Sequence, residues 1–291
     1  MKFKIKTPPE FSYDYSLAFL ERSSKEVMHV VSNRVVRKLI KVDNAHVLFS
    51  VSEGNGFLEV EIISNPSPAT KVYVTNYVNE WFDLDTDLKP FYSLAKKDEV
   101  LRSIVKKFHG YRIMGQPDLF ESLIWAVLGQ QINVAFAYSI KQRFVEKYGE
   151  RHEYEGHVYY LFPTPERVAQ INPDELIPLQ FSRQKSAYTI GIAKAFVENH
   201  VSRVMLHGRP LAEAKEELMK LKGIGNWTAN YALMRTFRYP DAFPLEDVAL
   251  HKALRIQMNM RKKPTLDRVK KIFKRYKGWE AYATLYLWKS L

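Results

Sequence analysis

The chain has 291 residues, of which 46% are hydrophobic and 26% are charged. This balance is typical of a globular protein of two or three domains and excludes disordered, collagen-like and disulfide-stapled chains. Cysteine is absent, which excludes disulfides, thiol nucleophiles, iron–sulfur clusters and cysteine-based zinc sites. The first residues lack the apolar core of a signal peptide, and no apolar run reaches the roughly 18 residues of a membrane span. We therefore expect a soluble, intracellular (cytoplasmic) protein without membrane contact.

The charge is distributed unevenly along the chain. Its 44 Lys and Arg and 32 Asp and Glu give a net charge of +12. Residues 1–100 hold 13 basic and 14 acidic residues, whereas residues 101–291 hold 31 and 18. Residues 251–291 alone hold 12 basic and 2 acidic residues. The excess indicates a polyanionic partner, nucleic acid or an anionic membrane, although a basic soluble surface would give the same count.

The first ninety or so residues are predicted to be rich in strands. Two β-rich runs, His46–Ser52 and Phe57–Ile63, flank the turn sequence Glu-Gly-Asn-Gly, which is a hairpin signal. Val35–Val42 is predicted as a further strand of the same antiparallel sheet, and Val74–Phe82 as a short amphipathic helix. The polar segment Phe82–Pro90 is the predicted domain boundary.

The rest of the chain is predicted to be helical, because apolar residues recur at helical spacing and polar caps precede several of the runs. The predicted helices lie at 119–131, 134–149, 162–171, 172–179, 182–199, 212–220, 227–237, 247–258, 265–274 and 279–289. The predicted fold class is therefore α+β, with a β-rich N-terminal domain and two all-helical subdomains.

The segment Leu218–Arg235, LMKLKGIGNWTANYALMR, is predicted to be a helix-hairpin-helix motif. Gly223 and Gly225 permit a sharp turn and a close approach of the backbone to a ligand, while Ile224 anchors the turn in the core. The N–H groups of Ile224, Gly225 and Asn226 are predicted to be free for an anion at the start of the second helix. A plain turn between two helices would have the same pattern.

A loop containing Pro244 places Asp247 at the start of the following helix. Asp is a favoured N-cap residue, and a cap there contributes about 1 kcal/mol. The cap does not exclude a catalytic function, because the helix dipole favours the ionised carboxylate. Glu246 is the alternative carboxylate.

These residues resemble the helix-hairpin-helix/Gly-Pro-Asp superfamily of base-excision DNA glycosylases, and within it the 3-methyladenine DNA glycosylase II branch. The resemblance rests on Gly223-Ile224-Gly225 and on Asp247, twenty-two residues after the second Gly with Pro244 between. It extends over nearly the whole chain, with further motifs at 128–130, 162–165, 223–231 and 282–288.

The resemblance implies that Asp247 is catalytic: a fixed carboxylate stabilises the positive charge that develops on the deoxyribose. It also implies that the hairpin residues Gly223, Ile224, Gly225, Asn226 and Thr228 bind DNA. Trp227, Tyr231 and Trp288 would line the pocket for a flipped-out base, since an aromatic face attracts a cationic alkylated base. Core packing is the alternative for the three aromatic residues. Glycosylases with lyase activity carry Lys at the position of Trp227, so the resemblance implies a monofunctional enzyme.

Two positions depart from the branch that the chain resembles. Gln131 occupies the position of the residue that fills the gap left by the flipped base, where the branch has Leu, and it is the candidate wedge. Val248 follows Asp247 where the branch has an aromatic residue. In many members of the family the hairpin also binds a monovalent cation, here through the carbonyls near Lys222 and Ile224. No other metal and no cofactor are implied.

The sequence therefore predicts a monofunctional DNA glycosylase that removes 3-methyladenine-type bases from duplex DNA, acting as a monomer in base excision repair. The predicted domains are 1–90, a helical subdomain at 118–238, and a second one built from 91–117 and 239–291 that carries the Asp247 loop. The alternatives are an 8-oxoguanine-type glycosylase, a non-catalytic helix-hairpin-helix DNA-binding protein, and a non-DNA enzyme on the same scaffold.

Overall fold

The computed structural model describes all 291 residues and begins with an antiparallel sheet. Its five strands are β1 (Lys2–Lys6), β2 (Val30–Ser32), β3 (Val35–Val42), β4 (Ala45–Glu53) and β5 (Phe57–Ile62), in the order β1-β5-β4-β3-β2. The predicted hairpin is thus β4–β5, and Val35–Val42 is a strand as expected. β1 had not been predicted; it joins the edge of the sheet through five residue pairs with β5.

Two helices pack on this sheet, and both differ from the sequence prediction. α1 (Tyr13–Leu20) was missed, although Ser12 caps it by accepting a hydrogen bond from the Tyr15 N–H. α2 (Pro68–Trp81) begins six residues earlier than predicted. Ser67 and Thr70 form a capping box and Pro68 occupies the first turn, so the helix starts within the Asn-Pro-Ser-Pro sequence.

The segment predicted as a polar connector, 82–90, is partly buried. Phe82 and Asp83 are buried, and the Asp83 carboxylate accepts hydrogen bonds from Thr86 and Tyr282. Arg112, itself buried, donates to the backbone oxygens of Glu10, Asp83 and Thr86. The buried polar groups of this segment thus form hydrogen bonds with one another and with Arg112 inside the protein.

The remaining chain is helical except for one hairpin. The helices are α3 (Lys89–Ala95), α4 (Leu101–Lys107), α5 (Leu119–Gly129), α6 (Val134–Tyr148), α7 (Pro165–Ala169), α8 (Arg183–Val197), α9 (Arg203–Leu206), α10 (Leu211–Met219), α11 (Asn226–Phe237), α12 (Val248–Gln257), α13 (Leu266–Phe273) and α14 (Glu280–Lys289). Residues Pro173–Leu179 form a 3₁₀ helix where an α-helix was predicted. A two-stranded hairpin, β6 (Arg151–Tyr154) and β7 (His157–Tyr160), was missed. No helix combines the length and the apolar character that a membrane crossing requires.

Three large hydrophobic clusters fill the molecule. One lies between the sheet, α1 and α2, and a second is formed by residues between 119 and 233. The third joins residues 88–113 to residues 234–287, including a hydrogen bond between the hydroxyls of Tyr92 and Tyr286 at 2.8 Å. The α+β class is confirmed. The domain boundaries stay a prediction, and we propose that each cluster is the core of one of the three units.

A buried ionic cluster connects the N-terminal part to α5 and α6. The Lys141 ammonium group lies 2.8 Å from the Glu26 carboxylate, and both side chains are almost fully buried. Lys38 is also buried and donates to the Met28 carbonyl. Burial raises the pKa of Glu26, but Lys141 outweighs this effect and lowers the pKa to about 2. Burial lowers the pKa of the neighbouring His29 to about 4.

Candidate active site

The predicted hairpin joins α10 to α11 and turns at Gly223. Gly223 has a φ of +95°, and a Cβ at this position would lie 2.4 Å from the Tyr188 ring, so a side chain is excluded both by conformation and by space. The Ile224 side chain is 4% exposed and packs into the second cluster. The conformation of the turn is therefore fixed by Tyr188, which packs against Gly223, and by the burial of Ile224.

The start of α11 presents free N–H groups, as the sequence predicted, with one correction. Gly225 caps the helix without a side-chain hydrogen bond, and the N–H groups of Gly225, Asn226 and Trp227 have no acceptor within the protein. The Ile224 N–H is not free, because it closes the turn by donating to the Leu221 carbonyl at 3.1 Å. The free donors therefore lie one residue further along the chain than predicted, at a helix N-terminus, where anions are favoured.

Two polar side chains support the hairpin from within. Gln130 Nε2 donates to the Gly223 carbonyl at 2.9 Å and to Thr228 Oγ1 at 3.0 Å. Thr228, predicted to bind DNA, is 3% exposed, and its hydroxyl is occupied by Gln130. The α5–α6 loop and the hairpin are thus joined directly.

Gln131, the candidate wedge, follows in that loop. Its backbone adopts a left-handed conformation with a φ of +57°, and its side chain is exposed. Non-glycine residues adopt this conformation only at a cost. A cleft of about 460 Å³ separates Gln131 from the hairpin turn.

Asp247 is the N-cap of α12. Its Oδ1 accepts a hydrogen bond from the Leu250 N–H at 2.7 Å. The rival carboxylate, Glu246, is exposed and accepts two hydrogen bonds from Asn226 Nδ2, at 2.9 and 3.0 Å. Val248, beside Asp247, is 70% exposed.

Two tryptophans converge on the Asp247 carboxylate from different helices. Trp227 Nε1, on α11, donates to Oδ2 at 3.0 Å, and Trp288 Nε1, on α14, donates to Oδ1 at 2.8 Å. No Lys, Arg or His nitrogen lies within 4.0 Å of this carboxylate. Neutral donors therefore hold Asp247 in place and leave its negative charge without a counter-ion.

Tyr231 completes an aromatic cluster beside Asp247. Its ring stacks on Trp227, with centroids 5.3 Å apart and planes inclined by 19°, and lies 6.4 Å from the Trp288 ring. Sequence reasoning thus placed Asp247, Trp227, Tyr231 and Trp288 in one site, and the structure brings all four together.

Three further residues surround the Tyr231 hydroxyl, and sequence reasoning missed them. Trp125 Nε1 donates to it at 3.1 Å and Arg235 Nε at 3.4 Å. Burial raises the pKa of Tyr231, but Arg235 and Arg22 outweigh burial and hold the pKa below its usual value. Arg235 lies one helical turn after Tyr231 and could have been found from that spacing. Trp125 and Arg22 carry no comparable local signal.

The predicted cation ligands are backbone groups. The carbonyl oxygens of Lys222 and Ile224 accept no hydrogen bond within the protein, so both are available to a cation. No group of three or more His, Asp and Glu side chains is arranged to hold a metal ion. The cation site stays a prediction.

Comparison with known families identifies the class. Residues 124–278 match the model of the HhH-GPD superfamily of base excision DNA repair proteins, and residues 18–123 match that of the 8-oxoguanine DNA glycosylase N-terminal domain. The chain belongs to the HhH-GPD superfamily, and the expected family is confirmed.

The chain is also similar to individual proteins of known name or structure. A DNA-3-methyladenine glycosylase of Bacillus subtilis is 42% identical over 99% of this chain and 96% of its own length. DNA-3-methyladenine glycosylase 2 of Escherichia coli is 31% identical, over 62% of this chain and 60% of its own. Among solved structures, a 3-methyladenine DNA glycosylase of Archaeoglobus fulgidus superposes with a TM-score of 0.86, at 23% identity, over 98% of this chain and 97% of that one. This last likeness shows the shared fold.

Proposed function

We propose that the protein is a monofunctional DNA glycosylase that excises alkylated bases of the 3-methyladenine type from duplex DNA in base excision repair. The observation that carries the proposal is the Asp247 carboxylate, which neutral indole donors hold at 2.8 and 3.0 Å beside a cluster of three aromatic rings. The relatives named for this activity support it, the one from Bacillus subtilis over the full chain.

The chemistry requires a negative charge at a fixed place. As the N-glycosidic bond breaks, positive charge develops on the deoxyribose, and a preorganised carboxylate stabilises it. Asp247 has no cationic partner, so its charge is available to the sugar. The same carboxylate can orient the attacking water, whose oxygen forms the new bond to C1′ while the base leaves with the electron pair of the broken bond.

The aromatic cluster suits a cationic base. Alkylation at N3 of adenine or N7 of guanine gives the base a formal positive charge, which makes it a good leaving group and favours contact with electron-rich rings. Trp227 and Tyr231 already stack directly on each other, so we propose that the flipped base packs against the cluster and not between these two rings.

The remaining contacts concern the DNA backbone. The free N–H groups at the start of α11 fit a phosphate, and the loop at Gln131 lies beside the same turn and fits a wedge. The Schizosaccharomyces pombe Mag1 structure, with abasic DNA, covers 67% of this chain and 93% of that one at 26% identity and a TM-score of 0.58. By analogy, we propose double-stranded DNA as the partner of this chain, bound by a monomer in the cytoplasm.

Two alternatives have less support. An 8-oxoguanine-type glycosylase with lyase activity needs an amine nucleophile, and Trp227 occupies that position. A non-catalytic DNA-binding protein would have no need for a carboxylate held by two indoles.

The test is release of 3-methyladenine and 7-methylguanine from methylated duplex DNA under single-turnover conditions. We expect Asp247→Asn to lower the rate by about 10²- to 10³-fold, because an amide carries no charge to stabilise the sugar cation. Its affinity for DNA containing an abasic-site analogue should change little.

Two matched variants act as controls. Asp267→Asn removes an exposed carboxylate from the first turn of α13 and should leave the rate unchanged, and Glu246→Gln removes the rival carboxylate. If Asp247→Asn keeps wild-type activity, or if only Glu246→Gln loses it, the assignment of Asp247 is wrong. A borohydride-trapped covalent adduct between the wild type and DNA would contradict the monofunctional mechanism.

A further inference from the structure

Besides the Trp227–Asp247 hydrogen bond, a set of hydrogen bonds around Asn230 joins the loop that carries Asp247 to the N-terminal part of α11. Asn230 Oδ1 accepts from the Phe243 N–H at 2.9 Å, across thirteen positions of sequence. Asn230 Nδ2 donates to the Asn226 carbonyl at 2.8 Å and to Asn226 Oδ1 at 3.1 Å. Asn226 in turn donates to Glu246. The loop is thus fastened to one helical turn both before and after Pro244.

The Asn230 side chain is 3% exposed, and its orientation is fixed by its neighbours. A backbone N–H faces one end of the amide and a carbonyl oxygen faces the other, so the oxygen must point to Phe243 and the nitrogen to Asn226. An aliphatic side chain at this position would leave the partly buried Phe243 N–H without its acceptor and would remove the side-chain donor to Asn226.

The loop is also held from its other side. His251 Nε2 lies 2.8 Å from the Leu245 carbonyl oxygen, and both residues are buried. Asn230 on α11 and His251 on α12 therefore hold Phe243 and Leu245, two residues apart. Asp247 lies two residues further along the chain. Little freedom remains in the backbone between Phe243 and Asp247.

We propose that Asn230 is a positioning residue for Asp247. It does not touch the proposed substrate; it fixes the loop so that the carboxylate meets the Trp227 and Trp288 indoles. The inference rests on the proposed function, since it assigns Asn230 to the placement of the proposed catalytic group.

The arrangement also sets a distance that the reaction needs. The turn of α11 that binds the loop through Asn226 and Asn230 is the turn whose free N–H groups face the DNA phosphate in the proposed function. The N-terminal turn of α11 would then fix the positions of both a bound phosphate and a sugar beside Asp247. Misplacement by about 1 Å can cost about 10²-fold in rate, so such registration has kinetic value.

The experiment compares Asn230→Leu and Asn230→Ala with Leu233→Ala. The first keeps the branched shape and the number of heavy atoms without the polar groups, the second opens a small cavity, and the control opens a larger cavity on the same helix within the second hydrophobic cluster. We expect both Asn230 variants to lower the single-turnover rate at least tenfold while the Kd for abasic-site DNA stays within twofold of wild type. Leu233→Ala should lower Tm but keep the rate at temperatures where it is folded.

A spectroscopic measurement reports the carboxylate directly in the free protein. The protein has 5 tryptophans, so its indole ¹H–¹⁵N resonances can be resolved and assigned. We expect those of Trp227 and Trp288 to shift in both Asn230 variants and in Asp247→Asn, while those of Trp81 and Trp279 stay in place.

The outcomes distinguish failure of the Asn230 positioning role from failure of the proposed catalytic role of Asp247. The positioning role is wrong if the Asn230 variants excise at the wild-type rate while Asp247→Asn does not, or if the two indole resonances stay unchanged. It is also wrong if Leu233→Ala loses as much excision rate as the Asn230 variants at a temperature where all three variants are folded. Wild-type activity in Asp247→Asn would overturn the proposed mechanism alone, because the resonances would still show whether Asn230 places the carboxylate.

Discussion

Asp247 and Glu26 are both carboxylates that accept several hydrogen bonds within the protein, but they are held in opposite ways. Glu26 lies 2.8 Å from the Lys141 ammonium group and accepts two backbone hydrogen bonds. Asp247 accepts hydrogen bonds only from two indoles and a backbone N–H, all of which are neutral. A carboxylate that is neutralised by a fixed cation strengthens the fold, whereas one held by neutral donors keeps its charge for a ligand. We propose that this contrast distinguishes a structural acid, Glu26, from a functional one, Asp247.

The largest effect should come from removing the cation of the structural pair. We expect Lys141→Met to destabilise the protein by about 3–5 kcal/mol, because Glu26 would remain buried without a counter-ion. The measurement is urea unfolding at pH 7, together with the excision rate at a temperature where the variant is folded, which should be near that of wild type.

Lys147→Met, an exposed position on the same helix, is the control. The double variant Glu26→Gln, Lys141→Met should recover much of the loss, since it buries no unpaired charge. An equal loss in the Lys147 and Lys141 variants would show that the buried pair has no special structural role.

Acid should act on the same cluster. His29 has a pKa of about 4 in the folded protein and 6.5 ordinarily, so the unfolded chain takes up the proton first as the pH falls. Stability is complete above 6.5 and is lost toward 4, which amounts to about 2 kcal/mol between pH 7 and pH 5. Glu26, with a folded pKa of about 2 against 4.5, adds a further loss as the pH falls from 4.5 toward 2.

Urea unfolding at pH 7 and pH 5 measures this slope. The variant His29→Gln should flatten it, because the group that titrates between those values is gone. A wild-type stability that does not change between the two pH values would contradict the interpretation of the cluster.

On the functional side, Trp288→Phe removes one neutral donor from Asp247 and keeps an aromatic ring. We expect the excision rate to fall about tenfold, equivalent to about 1.4 kcal/mol, because the carboxylate loses one of the bonds that orient it. Trp279→Phe, at the start of the same helix and packed on Phe91 and Tyr282, is the matched control. An equal effect in both variants would indicate loss of packing.

The smallest effect concerns the exposed carboxylate beside the hairpin. Glu246→Gln removes a negative charge next to the free N–H groups of α11, so a phosphate should bind there more favourably. We expect DNA affinity to rise about two- to fivefold at low salt, and the gain to shrink as salt screens the charge. Equilibrium binding of undamaged duplex at two salt concentrations measures the change, and an affinity that falls would contradict this prediction.

The sequence was informative where function depends on short motifs. The Gly-Ile-Gly turn and the Asp247 loop fix their own local structure, so the residues that contact across them could be predicted by family resemblance. Trp125 and Asn230 could not be predicted, because their hydrogen-bond partners lie 106 and 13 positions away. These contacts exist only because of the way α5, α11 and the Asp247 loop pack together. Likewise α1 and β1 were missed, because α1 has only eight residues and β1 is a short edge strand whose partner β5 lies more than fifty positions away.

The third hydrophobic cluster has a consequence for how the protein is made. It joins residues 88–113 to residues 234–287, and the Tyr92–Tyr286 contact spans 194 positions. A ribosome synthesises the sheet, the hairpin and Asp247 before it reaches α14. During most of translation, α3 and α4 therefore lack the residues of 234–287 that pack on them. Trp288 arrives with that same helix. The nascent chain can therefore assemble its hairpin turn early, but the carboxylate gains its second indole only when this third cluster forms.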